Sequence, residues 1–236
     1  RNGNYFEWLL FGTKTREGEI PVMPRLKDGS KSADHVRIKE QADLAKGIFR
    51  QLGIKITKTD YSISEKFNDE ITFEGLLDVV AEWDMPPMFT NAPFIFDCKL
   101  TKDCTSTFGE FSWGRFNEAI DAEKRIYIGR QTEDGMDLLQ AYSYLFLMEK
   151  KIGVRFNFAY LVFDYKKVLE YKIIIVPYEQ QQVDNVIGRL IGTATRLKWF
   201  KSLNYPEIPT VKECKTCKVI DCVSRINMVE LMANAI

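Results

Sequence analysis

Apolar positions along the chain change period several times, and these changes mark out the elements. Residues 1–11 read as the end of a helix. Residues 12–32 read as a loop, because Gly18, Pro21, Pro24, Gly29 and scattered charges replace any periodic pattern. Asp34 is the expected cap of a helix whose apolar positions Val36, Ile38, Ala42, Ala45, Ile48, Phe49 and Leu52 approximate one face, and Gly53 stops it. Strand signals follow at 54–58, 61–67, 71–83 and 94–100, separated by Asn68-Asp69-Glu70 and by Pro86-Pro87; together they predict a meander. Residues 105–130 hold Phe108, Phe111, Trp113 and Phe116, but glycines interrupt them and no element is assigned. A well-buried helix is expected over 137–151, ended by Gly153, then strands at 156–163 and 169–176 and an amphipathic helix over 180–202. This order predicts an α/β (α+β) layer fold, a mixed central sheet flanked by helices.

Composition adds limits. With 236 residues, 45% hydrophobic and 13% aromatic, the chain can bury a full core. No apolar run approaches the roughly 18–20 residues needed to span a bilayer, and the start has no secretion-signal pattern. A soluble, unsecreted protein with no membrane partner is therefore expected. The 33 basic and 33 acidic residues cancel, yet they are unevenly spread: Asp60 to Pro87 holds eight acids and one base, Thr195 to Arg225 seven bases and three acids. Those two regions read either as solvated faces of opposite sign or as a metal site beside a phosphate-binding surface.

Candidate chemistry is narrow. His35 is the single histidine, so Ser-His-Asp and Cys-His catalysis would have to run through it, and no nucleophile elbow or phosphate-binding glycine loop is present. Carboxylates remain. Asp97 and Lys99 interrupt the apolar stretch Phe94-Ile-Phe-Asp-Cys-Lys-Leu100 and share one strand face. Burying them costs free energy unless a metal or substrate compensates, or unless they form an ion pair with each other. Cys214, Cys217 and Cys222 lie within nine residues, a spacing that reads as metal ligation before disulfides. Three thiolates leave a tetrahedral or cluster site one ligand short.

Glu7 on the opening helix, Asp78 on a strand, Asp97-x-Lys99 on the next strand and Gln140-x-x-x-Tyr144 on the following helix resemble, in this order, the PD-(D/E)XK nuclease superfamily. The Gln-x-x-x-Tyr and the Cys-x2-Cys-x4-Cys resemble in particular its RecB-like exonuclease branch, including CRISPR-associated RecB-like exonucleases and the AddB nuclease domain.

The resemblance implies a restriction-endonuclease-like core over 1–205, with a cysteine-containing segment, 206–236, packed on it. It implies that Asp78, Asp97 and the backbone carbonyl of Cys98 hold Mg²⁺ or Mn²⁺, with Glu7 as a further ligand where many relatives carry a histidine. Lys99 would position or polarise the attacking water, and Gln140 and Tyr144 would hold Lys99 or the phosphate. For the cysteines it implies a [4Fe–4S] cluster whose fourth ligand lies upstream; zinc and free thiols stay open as alternatives, and Cys104 is a remote candidate for the missing ligand.

The expected activity is hydrolysis of DNA, single-stranded ends favoured, during recombination, repair or phage and mobile-element replication. Its setting would be the cytoplasm of a bacterial or phage-infected cell, alongside other recombination or replication proteins. A catalytically silent DNA-binding module and a structure-specific endonuclease are the alternatives. Arg196, Lys198, Trp199 and Lys201 fit contact with single-stranded DNA, where rings stack on bases and cations meet phosphates, although aromatic residues here also suit a helix core. Trp113 and Arg115 are a second, weaker DNA contact.

Overall fold

The computed structural model describes residues 2–13, 18–22, 25–84, 92–105, 113, 119–129, 138–166 and 170–202, the side chains of 199–201 excepted. The chain divides into two compact units, Arg1–Val186 and Ile187–Ile236. The first unit contains a seven-stranded mixed sheet. The expected boundary at 205 lies outside the described residues, as do Arg115, Cys214, Cys217 and Cys222.

Helix α1 (Asn2–Phe11) buries Tyr5 and Phe6. Helix α2 (Ala33–Gln51) is capped two residues earlier than expected: the Ser32 hydroxyl accepts the His35 N–H at 3.2 Å, and Asp34 sits in the first turn instead, paired with Lys166 Nζ at 2.7 Å. Gly53 ends α2 as its sequence position suggests, adopting φ +68, a left-handed conformation that glycine accepts without steric cost.

Strands β1 (Lys55–Lys66), β2 (Thr72–Glu82) and β3 (Phe94–Thr101) form the predicted antiparallel meander. The expected break between 58 and 61 is absent. Asp60 takes φ +50 inside one continuous β1, and its short polar side chain is among those that tolerate this conformation. Two short strands, β4 (Ala119–Asp121) and β5 (Ile126–Ile128), lie in the stretch left unassigned from sequence. Helix α3 (Leu139–Ile152) precedes β6 (Asn157–Asp164) and β7 (Tyr171–Val176), and α4 (Gln180–Ser202) runs from the first unit into the second. None of the described helices is long and apolar enough to cross a membrane.

The strand order is β1-β2-β3-β6-β7-β5-β4. The β3–β6 and β5–β7 pairs are parallel and the others antiparallel. Every residue of central β6 is buried, as a strand covered on both faces requires. Side-chain alternation then divides the sheet. Val79, Ala81, Phe94, Phe96, Ala159 and Leu161 face one way and join Phe6, Ile38, Ala42 and Ala45 of α1 and α2 in a single core. Asp78, Asp97, Lys99, Phe158 and Tyr160 have the opposite parity and lie on the face that α3 covers.

Beyond β3, the distal halves of β1 and β2 continue as a two-stranded arm. Helix α3 braces it through the Lys151–Glu65 ion pair at 3.1 Å, the Phe146–Phe73 ring contact at 6.3 Å, and Lys150 Nζ donating to the Lys66 carbonyl.

Candidate active site

The β2–β3 ladder runs from Ala81↔Phe94 through Val79↔Phe96 and stops. The next antiparallel pair in that register would be Asp78 with Asp97. Here the two strands part, and the Cys98 N–H donates to Asp78 Oδ2 at 2.8 Å in place of a strand partner. In an extended residue the N–H and C=O lie on the same strand edge, so the Cys98 carbonyl faces this opening too. The Cys98 thiol belongs to the core beneath, 3% exposed, and burial pushes its pKa up.

Asp97 is 2% exposed. Its Oδ1 accepts Gln140 Nε2 at 3.1 Å, and its Oδ2 meets the Lys99 ammonium at 2.6 Å as an ion pair. Gln140 Nε2 also lies 3.4 Å from the Tyr144 hydroxyl, which donates to the Leu76 carbonyl on β2 at 3.0 Å. Gln140 and Tyr144 are one helical turn apart, so α3 aims both at the sheet.

The Tyr144 ring can lie there because residue 75 is glycine: a Cβ on Gly75 would stand 2.8 Å from Tyr144 Cε1. A glycine inside a strand is a sequence signal for such an approach, since it often marks the place where another group comes close.

Electrostatics follow from burial. Desolvation and the neighbouring Asp97 charge push the Asp78 carboxyl up to about 8, with Glu7 adding to the rise. Asp97 is also raised, because burial outweighs Lys99 and Gln140. Glu7, half-buried on α1, is raised by desolvation and by Asp97 and Asp60, against the lowering effect of Lys99. Burial alone would lower the Lys99 pKa; the Asp97 charge and hydrogen bond, with Asp78 and Tyr144, reverse that and raise it. Asp60, the left-handed residue of β1, is therefore an electrostatic neighbour of the site that its sequence context did not reveal.

The structure thus brings together Glu7, Asp78, Asp97, Lys99, Gln140 and Tyr144. It does not extend this grouping to Trp113. That ring was expected to contact DNA, but it is 5% exposed and packs edge-on against Tyr160 at 5.6 Å, which leaves no face for a base. Tyr160 pairs with Asp97 across β3 and β6, so Trp113 contributes to the packed wall beside the site. Arg196 and Lys198 are exposed on α4; the side chains of Trp199 and Lys201 lie outside the described residues. His35 stands at the start of α2, 3.2 Å from the Tyr5 hydroxyl. Among the described residues, the side chains of Cys104, Asp164 and Glu170, which have donor atoms within 4.8 Å of one another, gather near the ends of β3 and β6.

No protein-family model matches the sequence, and no functionally curated protein matches it either. Among solved structures, the fold is similar to that of a candidate exonuclease from Eubacterium rectale, at TM-score 0.50 and 13% identity, covering 96% of this chain and 73% of that one. A second solved structure, SSO0001, aligns at TM-score 0.35 and 13% identity over 78% of this chain and 68% of its own. The likeness is one of fold, a mixed sheet flanked by helices.

Proposed function

We propose that this chain is a divalent-metal-dependent nuclease that hydrolyses DNA phosphodiester bonds, with free single-stranded ends as its preferred substrate. The observation that carries the proposal is the parting of β2 and β3 at Asp78 and Asp97, where a half-buried and a buried carboxylate, a lysine and a strand edge outside the β2–β3 ladder meet. The fold shared with a candidate exonuclease supports the same reading.

The donor set fits a hard cation. Asp78, Asp97 and the Cys98 carbonyl offer oxygen atoms around one opening, and Glu7 would supply a further carboxylate. Oxygen donors without nitrogen or accessible sulfur suit Mg²⁺ or Mn²⁺. The raised carboxyl pKa values express the repulsion and desolvation that a bound cation would relieve. Once bound, such an ion supplies an activated water and neutralises charge on the phosphoryl oxygens.

The chain's own residues do the rest. Lys99 stays a cation in this surrounding, so it serves to hold the phosphate or attacking water and to offset charge developing in the transition state. Gln140 holds the Asp97 carboxylate in one orientation, and Tyr144 anchors Gln140 against β2. Asp78 fixes the strand edge through Cys98.

The direct Lys99–Asp97 contact favours a second reading, a silent nuclease fold that binds DNA and in which lysine permanently occupies the cation's place. Substitution separates the two. Asp97→Ala and Lys99→Ala should each lower Mg²⁺-dependent cleavage of linear single-stranded DNA by about 10²–10³-fold or more, the scale of losing a principal electrostatic group. Full cleavage by either variant would remove the site assignment. An inactive wild-type protein that gains no thermal stability from Mg²⁺ would establish the silent reading.

A further inference from the structure

We propose that Cys104, Asp164 and Glu170 form a separate metal site that takes a thiophilic divalent transition ion of the zinc class. The three residues come from different segments: Cys104 follows β3, Asp164 ends β6, and Glu170 immediately precedes β7. Their ligand atoms all lie within 4.8 Å of one another. Two ligands of one tetrahedral ion at bond lengths of about 2.0–2.3 Å sit roughly 3.6 Å apart. The Cys104 thiol donates to Glu170 Oε2 with sulfur and oxygen 3.9 Å apart, near the spacing that two ligands of one ion would take once the thiol proton is lost.

The backbone holds this geometry independently of the ligand atoms. The Asp164 N–H donates to the Glu170 carbonyl at 3.0 Å, which fixes the two acids across the β6–β7 connection. The Tyr165 N–H donates to the Thr101 carbonyl at 3.0 Å, which ties the end of β3, and with it Cys104, to the same place. Asp164 is fully buried, Cys104 is 2% exposed and Glu170 is half-buried at the cavity, so two of the three donors are interior groups and not solvated surface acids.

A cavity of about 240 Å³ provides access. Cys104 and Glu170 line it together with Arg125, Tyr127 and Lys172, and the Lys172 ammonium is directed to the Trp113 carbonyl at 3.2 Å. Three protein ligands leave the fourth tetrahedral position open toward this cavity, where water would complete the coordination. One sulfur ligand selects against Mg²⁺ and Ca²⁺, so the cation class differs from that of the Asp78–Asp97 opening. A bound ion would clamp the far end of β3, the strand that carries Asp97 and Lys99, onto the β6–β7 turn.

Co²⁺ is a suitable probe because a thiolate ligand gives it a charge-transfer absorption that carboxylates cannot. The titration uses the full chain carrying Cys214→Ser, Cys217→Ser, Cys222→Ser and Asp97→Asn, which removes the C-terminal thiols and one carboxylate of the β2–β3 opening. One saturable equivalent with that absorption is expected, and Zn²⁺ should displace it. Adding Cys104→Ser should abolish the band, and adding Glu170→Gln should weaken Co²⁺ binding about tenfold or more. A band that survives Cys104→Ser, or no saturable band in the parent chain, would overturn the site. If the Cys104→Ser chain fails to fold, Glu170→Gln decides: unchanged Co²⁺ affinity there overturns the proposal.

Discussion

Asp78 concentrates the residue-scale physics of this protein. Its pKa is raised to about 8 by burial and by the adjoining Asp97 and Glu7 charges. In the folded metal-free protein it therefore keeps a proton at pH values where the unfolded chain has lost one. The stability contributed by that neutral form is complete below the ordinary carboxylate range and is lost as pH rises through about 8. Metal-free protein should accordingly lose stability from about pH 4 to pH 8, at up to roughly 1.4 kcal/mol per pH unit for each such proton. Mg²⁺ should oppose the loss, and increasingly so toward pH 8, because binding requires the ionised acids. Thermal melts across this range in EDTA and in Mg²⁺ measure both effects; a metal increment that does not grow with pH would contradict the picture.

Elements meet at the site because α3 is held against the β1–β2 arm. The Tyr144 ring belongs to that brace, and a Cβ on residue 75 would stand only 2.8 Å from it. Gly75→Ala should therefore push the Tyr144 ring away and cost about 1–3 kcal/mol in urea unfolding, the usual scale of overpacking. Combined with Tyr144→Ala, which makes room, the same change should cost clearly less than the sum of the two. Additive costs would show that the ring does not press on β2.

Most of this level was legible in sequence, since Gln140 and Tyr144 have helical spacing and Asp97 and Lys99 have strand spacing. The polar Thr59-Asp60 pair hid the continuity of β1, because one left-handed residue inside a strand has the same sequence signature as a turn. The three-residue strands β4 and β5 are too short for any period to register. Trp113 had the composition of a DNA contact, and only its packing on Tyr160 reveals a core residue.

At the scale of the molecule, the equal numbers of acids and bases do not describe the field that DNA would meet. Acids gather at the arm and the opening, while Arg196 and Lys198 stand exposed on α4. DNA binding should therefore be weak in EDTA, strengthen with Mg²⁺, and fall with salt at a log–log slope of about −2 to −4, the signature of a few phosphate contacts. Fluorescence anisotropy with labelled single-stranded DNA measures this, and tight binding in EDTA that ignores salt would argue against it. The charge segregation was visible in the sequence. The gathering of Cys104, Asp164 and Glu170 was not, because it depends on parallel pairing between strands about sixty residues apart.

Asp78 Oδ2 accepts the strand-edge N–H that β2 leaves without a ladder partner. Removing that acceptor would strand a buried donor, at a cost of about 1–3 kcal/mol. The acid is thus also a sheet terminator, and selection for a well-folded chain would retain it even without a catalytic role. Asparagine, which keeps an acceptor oxygen at the same place, is the replacement that separates these two pressures. An alanine there would reduce the folded population together with any activity that depends on the carboxylate.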